Sequence, residues 1–161
     1  MVGGMRSHGP KAALVVVLAA LLTGCGMAVP ADPHGTLDRI DGGSLRVGVT
    51  ENAPWVELDG AEPAGSEAEL ISDFADEQNA TIDWTEGSEA VLVSALERGE
   101  LDVVIGGFLD DTPWVDKAAA TRPYTESEGP DGPEKHVMLA RMGENALLVA
   151  LEEHLDEASR S

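Results

Sequence analysis

From residue 44 to residue 158 the spacing of apolar side chains switches between two and about 3.6 residues, the repeats of strand and helix. Ser44–Thr50 alternates apolar with other positions and predicts a first strand. Ser66 and Glu69 have capping-box spacing, and Leu70, Ile71, Phe74 and Ala75 behind them form one helical face. Ala80–Thr85, with Ile82 and Trp84 on one side, predicts a second strand and places Trp84 in the core. Ser88–Arg98 reads as a helix turned inward on Val91, Leu92, Ala95 and Leu96, and Gly99 ends it in a left-handed conformation. Leu101–Gly106 is a short β-branched run, suited to a buried strand and too short for a buried helix. Ala118–Thr125, containing Arg122-Pro123-Tyr124, is a weaker extended segment. Residues 126–134 are acidic and rich in Pro and Gly, and read as a linker. Lys135–Arg141 supplies another strand through Val137, Met138 and Leu139. Glu144–Ala158 closes the chain as an amphipathic helix burying Leu147, Leu148, Leu151 and Leu155. Strand, helix, strand, helix, strand with right-handed crossovers predicts an α/β domain. Its mostly parallel sheet carries helices on both faces, with the first strand between the other two.

The first residues do not join this pattern. Arg6 and Lys11 precede the apolar run Ala12–Leu22, which is too short for a membrane span and has the form of a secretory signal. Leu22-Thr23-Gly24-Cys25 resembles a bacterial lipobox, which implies lipidation at Cys25. An ordinary cleaved signal with an incidental cysteine is the alternative. Cys25 is the single cysteine, so no intramolecular disulfide forms. The expected organisation is a signal peptide over 1–24, a flexible tether over 25–42 and one domain over 43–161, lipid-anchored outside the cytoplasm.

Thirty Asp and Glu against ten Lys and Arg give a formal charge of −20 at pH 7. Such a surface repels nucleic acid and anionic headgroups and attracts cations. His34, His136 and His154 have no paired spacing, and zinc or calcium loop patterns are absent from the sequence. It also lacks a Gly-x-Ser-x-Gly elbow. The expectation is a protein that is not an enzyme, with no cofactor and no metal.

Five pieces stand in order: Leu45-Arg46-Val47-Gly48, Pro54-Trp55, Gly65-Ser66-Glu67-Ala68-Glu69-Leu70, Gly99–Gly107 and Pro123-Tyr124. Together they resemble the first lobe of bacterial extracytoplasmic solute-binding proteins, family 3, the type that serves amino-acid ABC transporters. The resemblance implies one lobe of a periplasmic-binding-protein-like fold. Similar proteins insert a second lobe after the Pro-Tyr; here residues 126–134 stand in its place. Similar proteins also hold the ligand's carboxylate with an arginine. That position falls on or near Trp114, and Asp110 and Asp111 would repel a carboxylate.

Loops at the sheet's carboxyl edge are where an open α/β sheet binds ligands. The ligand-binding residues expected there are Glu51, Trp55, Glu67, Gly107, Phe108, Asp111 and Trp114. Indole faces and carboxylates suit a cationic or polyhydroxylated solute, at roughly 0.5–2 kcal/mol per cation–aromatic contact. A single lobe offers a shelf rather than a cleft, so the expected affinity is weak. The implied partners are that solute, a membrane permease or sensor, and the membrane through the anchor, with no nucleic acid. The alternative is an interaction or sensing lipoprotein that docks a membrane partner on the same edge.

Overall fold

A computed structural model describes residues 32–160. The signal segment, Cys25 and the tether up to residue 31 lie outside the described residues. The chain order is α1 Thr36–Ile40, β1 Ser44–Val49, α2 Ser66–Glu77, β2 Thr81–Glu86 and α3 Glu89–Glu97. It continues with β3 Val103–Leu109, a 3-10 turn Pro113–Asp116, β4 Ala119–Ala120, β5 Thr125–Gly129, β6 Gly132–Ala140 and α4 Asn145–Ala158.

The strands form one sheet in the order β2-β1-β3-β6-β4, with β5 also on β6. β1 lies between β2 and β3 and is parallel to both, as the crossovers require. The expected parallel arrangement therefore holds for β2-β1-β3, and β6 adds an antiparallel half.

Alternation along the strands sorts the core onto two faces. Leu45, Val47, Val49, Val103, Ile105 and Met138 meet Ile71 and Phe74 of α2 and Leu147, Leu151 and Leu155 of α4. Val104, Val137 and Leu139 meet Leu92, Val93 and Leu96 of α3 on the other face. Helices thus cover both faces. On α3 it is Val93 that is buried, while Val91, expected inward, is 62% exposed. Trp84 is only half-buried because β2 is a sheet edge, with core on one side of it.

Two expected connections are structured instead. The tether ends before residue 36: α1 packs Ile40 into the first core cluster, and both Asp32 carboxylate oxygens cap its start. Asp32 Oδ1 accepts from the Thr36 N–H at 2.8 Å and Oδ2 from the Leu37 N–H at 3.0 Å. His34 then bonds Glu144, fastening the start of the domain to the start of its last helix.

The linker over 126–134 is a hairpin. β5 and β6 pair from Thr125↔His136 to Gly129↔Gly132, leaving Pro130 and Asp131 as a two-residue turn. The Pro-Asp-Gly run carries the turn signal, and Glu126 and Glu128 beside it are exposed.

The Gly-Glu-Leu-Asp run before β3 acts at the end of the sheet away from the expected site. Gly99 takes φ +72°, ending α3 as expected. Asp102, fully buried, accepts from Arg39 Nη2 at 2.6 Å and from the Arg46 backbone N–H at 3.0 Å.

Candidate functional site at the carboxyl edge

β3 and β6 change register between Val104 and Phe108, so their ladder is interrupted around Ile105, Gly106 and Gly107. Gly107 turns into φ +67°, a conformation glycine adopts without strain. The irregularity leaves two backbone donors for a side chain, and Glu67 takes both. Its Oε2 accepts from Gly106 N–H at 2.8 Å and Gly107 N–H at 2.9 Å, and its Oε1 accepts from the Tyr124 hydroxyl at 2.6 Å. One carboxyl group therefore ties together the first turn of α2, the bulge in β3 and the entry to β5.

Glu67 is fully buried. Burial raises its carboxyl above the ordinary value, and the Tyr124, Gly107 and Gly106 hydrogen bonds offset this only in part. The Tyr124 hydroxyl is raised too, by burial and then by the neighbouring Glu67 charge, and so remains a donor.

The loop after β1 folds down onto the same point. Asn52 Nδ2 donates to Gly106 O at 2.8 Å. Trp55 lies against Gly107 so closely that a Cβ there would meet its Cδ1 at 2.4 Å. The indole also packs on His136 of β6, with ring centroids 3.8 Å apart and planes tilted by 33°. His136 is 2% exposed and bonds Ser127 Oγ through Nε2 at 2.7 Å. Helix α2 begins against this loop: Ser66 N–H donates to Pro54 O at 3.2 Å and Glu67 N–H to Trp55 O at 3.0 Å. The capping-box side-chain bond predicted for Ser66 is not made.

The edge brings together part of the expected set. Glu51 and Asp111 are exposed there, and Trp55 is half-buried beside Gly107. Glu67 lies beneath the surface with both oxygens engaged, and Phe108 is 5% exposed within the second core cluster. Both are buried, where the sequence predicts residues open to a ligand. Trp114 packs on that second cluster and donates Nε1–H to Glu89 Oε2 at 2.9 Å. The turn Pro113–Asp116 thus leans on α3, and the groove beside Trp55 is lined without Trp114.

Two concavities border the edge. One of about 240 Å³ lies between the loop after β3 and the hairpin, lined by Leu109, Asp110, Asp111, Pro133, Glu134 and Lys135. Asp110 N–H donates to Lys135 O at 2.9 Å across its floor. The other, about 330 Å³, lies beside Trp55 and is walled by Leu70, Tyr124, Leu155 and Ala158, with Ser66 at its rim. Among the described residues no cluster of three or more His, Cys, Asp or Glu side chains fits a metal ion. None of the described helices is long and apolar enough to cross a membrane.

Asn52, His136 and the hydroxyl of Tyr124 are the residues that sequence reasoning missed. The Pro-Tyr pair carried a signal for Tyr124. His136 sits inside a strand pattern and carried none.

The profile of bacterial extracellular solute-binding proteins, family 3, matches residues 45–161. A membrane-bound lytic murein transglycosylase F from Alteromonas mediterranea is 34% identical over 99 residues, covering 60% of this chain and 21% of that protein. The chain thus spans about a fifth of that relative's length. A mutant of the arginine-bound domain 1 of TmArgBP superposes with a TM-score of 0.70 at 21% identity, over 78% of this chain and 99% of that one. An ancestral cationic amino acid solute-binding protein gives 0.67 at 14% identity, over 78% and 94%. An arginine-specific periplasmic binding protein of Salmonella typhimurium gives 0.64 at 14% identity, over 73% and 94%. These likenesses are in fold.

Proposed function

The chain belongs to the bacterial extracellular solute-binding proteins of family 3, and from that premise we propose that it binds a small cationic solute at the carboxyl edge of its single lobe. The observation that carries this reading is the charge of that edge. Glu51, Asp110 and Asp111 stand exposed, and the position where the resemblance implies a carboxylate-binding arginine falls on or near Trp114, which is bonded to Glu89. Carboxylates near an indole face attract an ammonium or guanidinium group and repel an anion. Domain 1 of TmArgBP, a single domain of the same fold, is described in an arginine-bound form, which supports a one-lobe binder. Half a cleft buries less of its ligand than a whole one, so weak affinity follows.

In this reading the protein is a lipid-anchored component of a membrane transport system, held by Cys25 and working with a permease. The family is one of solute-binding proteins, which supports a binding role. Thermal unfolding of the chain with millimolar arginine, lysine, polyamines, sugars or neutral amino acids tests the site. A solute at a hundred times its Kd adds about 2.7 kcal/mol to the folded state. A shift confined to cations, and reduced in Glu51→Gln with Asp111→Asn, supports the reading; a melt that no solute moves overturns it. Loss of lipid labelling in Cys25→Ala tests the anchor.

The hairpin favours a second reading. With β5 and β6 paired to their turn, the edge stays open, and a membrane partner can dock where a solute would lie. Trp55→Ala separates the two: a solute site loses its ligand-induced shift, whereas a docking site loses crosslinking to a membrane protein.

A further inference from the structure

Away from the carboxyl edge, His154 of α4 is 7% exposed and lies against α2. Its Nε2 is 3.0 Å from the backbone oxygen of Leu70, and its Nδ1 is 2.9 Å from Glu77 Oε1. Both partners are acceptors: a carbonyl has no proton to give, and neither has the carboxylate of Glu77, whose side chain is 53% exposed. A neutral imidazole donates from one nitrogen only. Both bonds form together only when both nitrogens carry hydrogen, in the imidazolium. The ring packs on Phe74 with centroids 5.6 Å apart, which fixes its plane between the two oxygens.

The cleft around the ring, about 420 Å³, is lined from α2 by Asp73, Asp76 and Glu77 and from α4 by Glu157 and Ala158. Among the described residues no lysine or arginine lines it. Negative charge thus approaches the ring from both helices packed there. The same two helices wall the 330 Å³ groove beside Trp55, α2 through Ser66 and Leu70 and α4 through Leu155 and Ala158. Leu70 belongs to both places, its carbonyl bonded to His154 and its side chain lining the groove.

We propose that His154 is a proton-operated staple between α2 and α4, which holds the last turns of the closing helix when charged and releases them when neutral. Losing the proton removes one of the two bonds and the attraction to Glu77 together. The end of α4 then loosens from α2, and the groove beside Trp55 opens on that side. Histidine is the side chain suited to such a device, because its two ring nitrogens gain and lose a proton under mild conditions.

The test compares the full chain with His154→Gln, which keeps an amide but takes no charge, and with Glu77→Gln, a change at a half-exposed position that removes the carboxylate partner. Amide exchange in Leu151–Ala158 of the wild type is expected to accelerate at least tenfold more between about pH 5 and pH 8 than intrinsic exchange does. Both variants are expected to lose that excess. Nitrogen-15 spectra at about pH 6 are expected to show hydrogen on both ring nitrogens of His154. A ring that is a neutral tautomer at that pH overturns the proposal, and so does an exchange profile that Glu77→Gln leaves unchanged.

Discussion

The Arg46 guanidinium grips the Asp102 carboxylate with two hydrogen bonds, Nε to Oδ2 at 3.1 Å and Nη2 to Oδ1 at 2.6 Å, across 56 residues of chain. Arg46 Nη1 also reaches the Gly99 carbonyl at 2.8 Å. The Leu-Arg-Val-Gly strand and the Gly-Glu-Leu-Asp run are therefore two halves of one clamp at the amino end of β1 and β3. Burial alone would raise Asp102, but hydrogen bonds from Arg46 and Arg39 outweigh it and hold the carboxyl below its usual range.

Asp102→Ala is expected to cost about 2–4 kcal/mol, less than a fully buried pair, because Arg39 and Arg46 keep 40% and 31% of their side chains exposed and regain water. A carboxyl lowered on folding contributes stability above its unfolded value and loses it as pH falls through the folded one. Urea unfolding from about pH 5 downward should show a decline that is shallower in Asp102→Asn.

Glu67 has the opposite sign. Its raised carboxyl contributes stability below the unfolded value and loses it as pH rises through the folded one. Glu67→Gln, which mimics the protonated form, should gain on the wild type as pH rises. Glu67→Ala leaves the Gly106 and Gly107 donors unpaired and should cost about 2–4 kcal/mol at any pH. Denaturant titrations over about pH 4–7 distinguish the two variants.

Gly107→Ala should cost at least about 1–3 kcal/mol from its positive φ alone. The added methyl also meets Trp55 Cδ1 at 2.4 Å and Asn52 Nδ2 at 2.6 Å, so the indole has to move. A changed tryptophan emission maximum in the folded variant checks this.

The turn at Pro130 and Asp131 should accept added chain. A flexible insert of about ten residues there is expected to cost about 1 kcal/mol or less, since both residues are exposed and loop closure grows slowly with length. The same insert between Gly106 and Gly107 should abolish folding. Thermal melts of the two insertion variants test the contrast.

The strands and helices were legible wherever one residue's neighbours along the chain decide its fate. The Ser66 start of α2, the Gly99 stop of α3 and the buried run of β3 follow from period and glycine conformation. The errors fall where a partner distant in sequence decides. Ser66 predicts a capping box, but the Pro54 and Trp55 carbonyls reach the helix start first. Glu67 reads as a surface carboxylate until the β3 bulge presents two donors to it. Val91 and Val93 are equivalent in composition, and only the angle at which α3 meets the sheet separates them. Trp114 shares a residue type with Trp55 but sits after a turn that leans on α3. At the carboxyl edge, the sequence placed Glu51 and Asp111 on loops, where they are exposed, and tertiary contacts assigned which other side chains face outward.

The pairing of β5 with β6 has a kinetic consequence. In two-lobe binding proteins a hinge closes over the ligand, and opening it again gates release. Here the strands that would lead into such a hinge are hydrogen-bonded to each other up to a two-residue turn. Under the proposed function, an occupant of the edge would arrive and depart without a hinge at this point having to rotate. Its association should approach the encounter rate for an oppositely charged pair and weaken as salt is added, and its residence time should be set by contact energy alone.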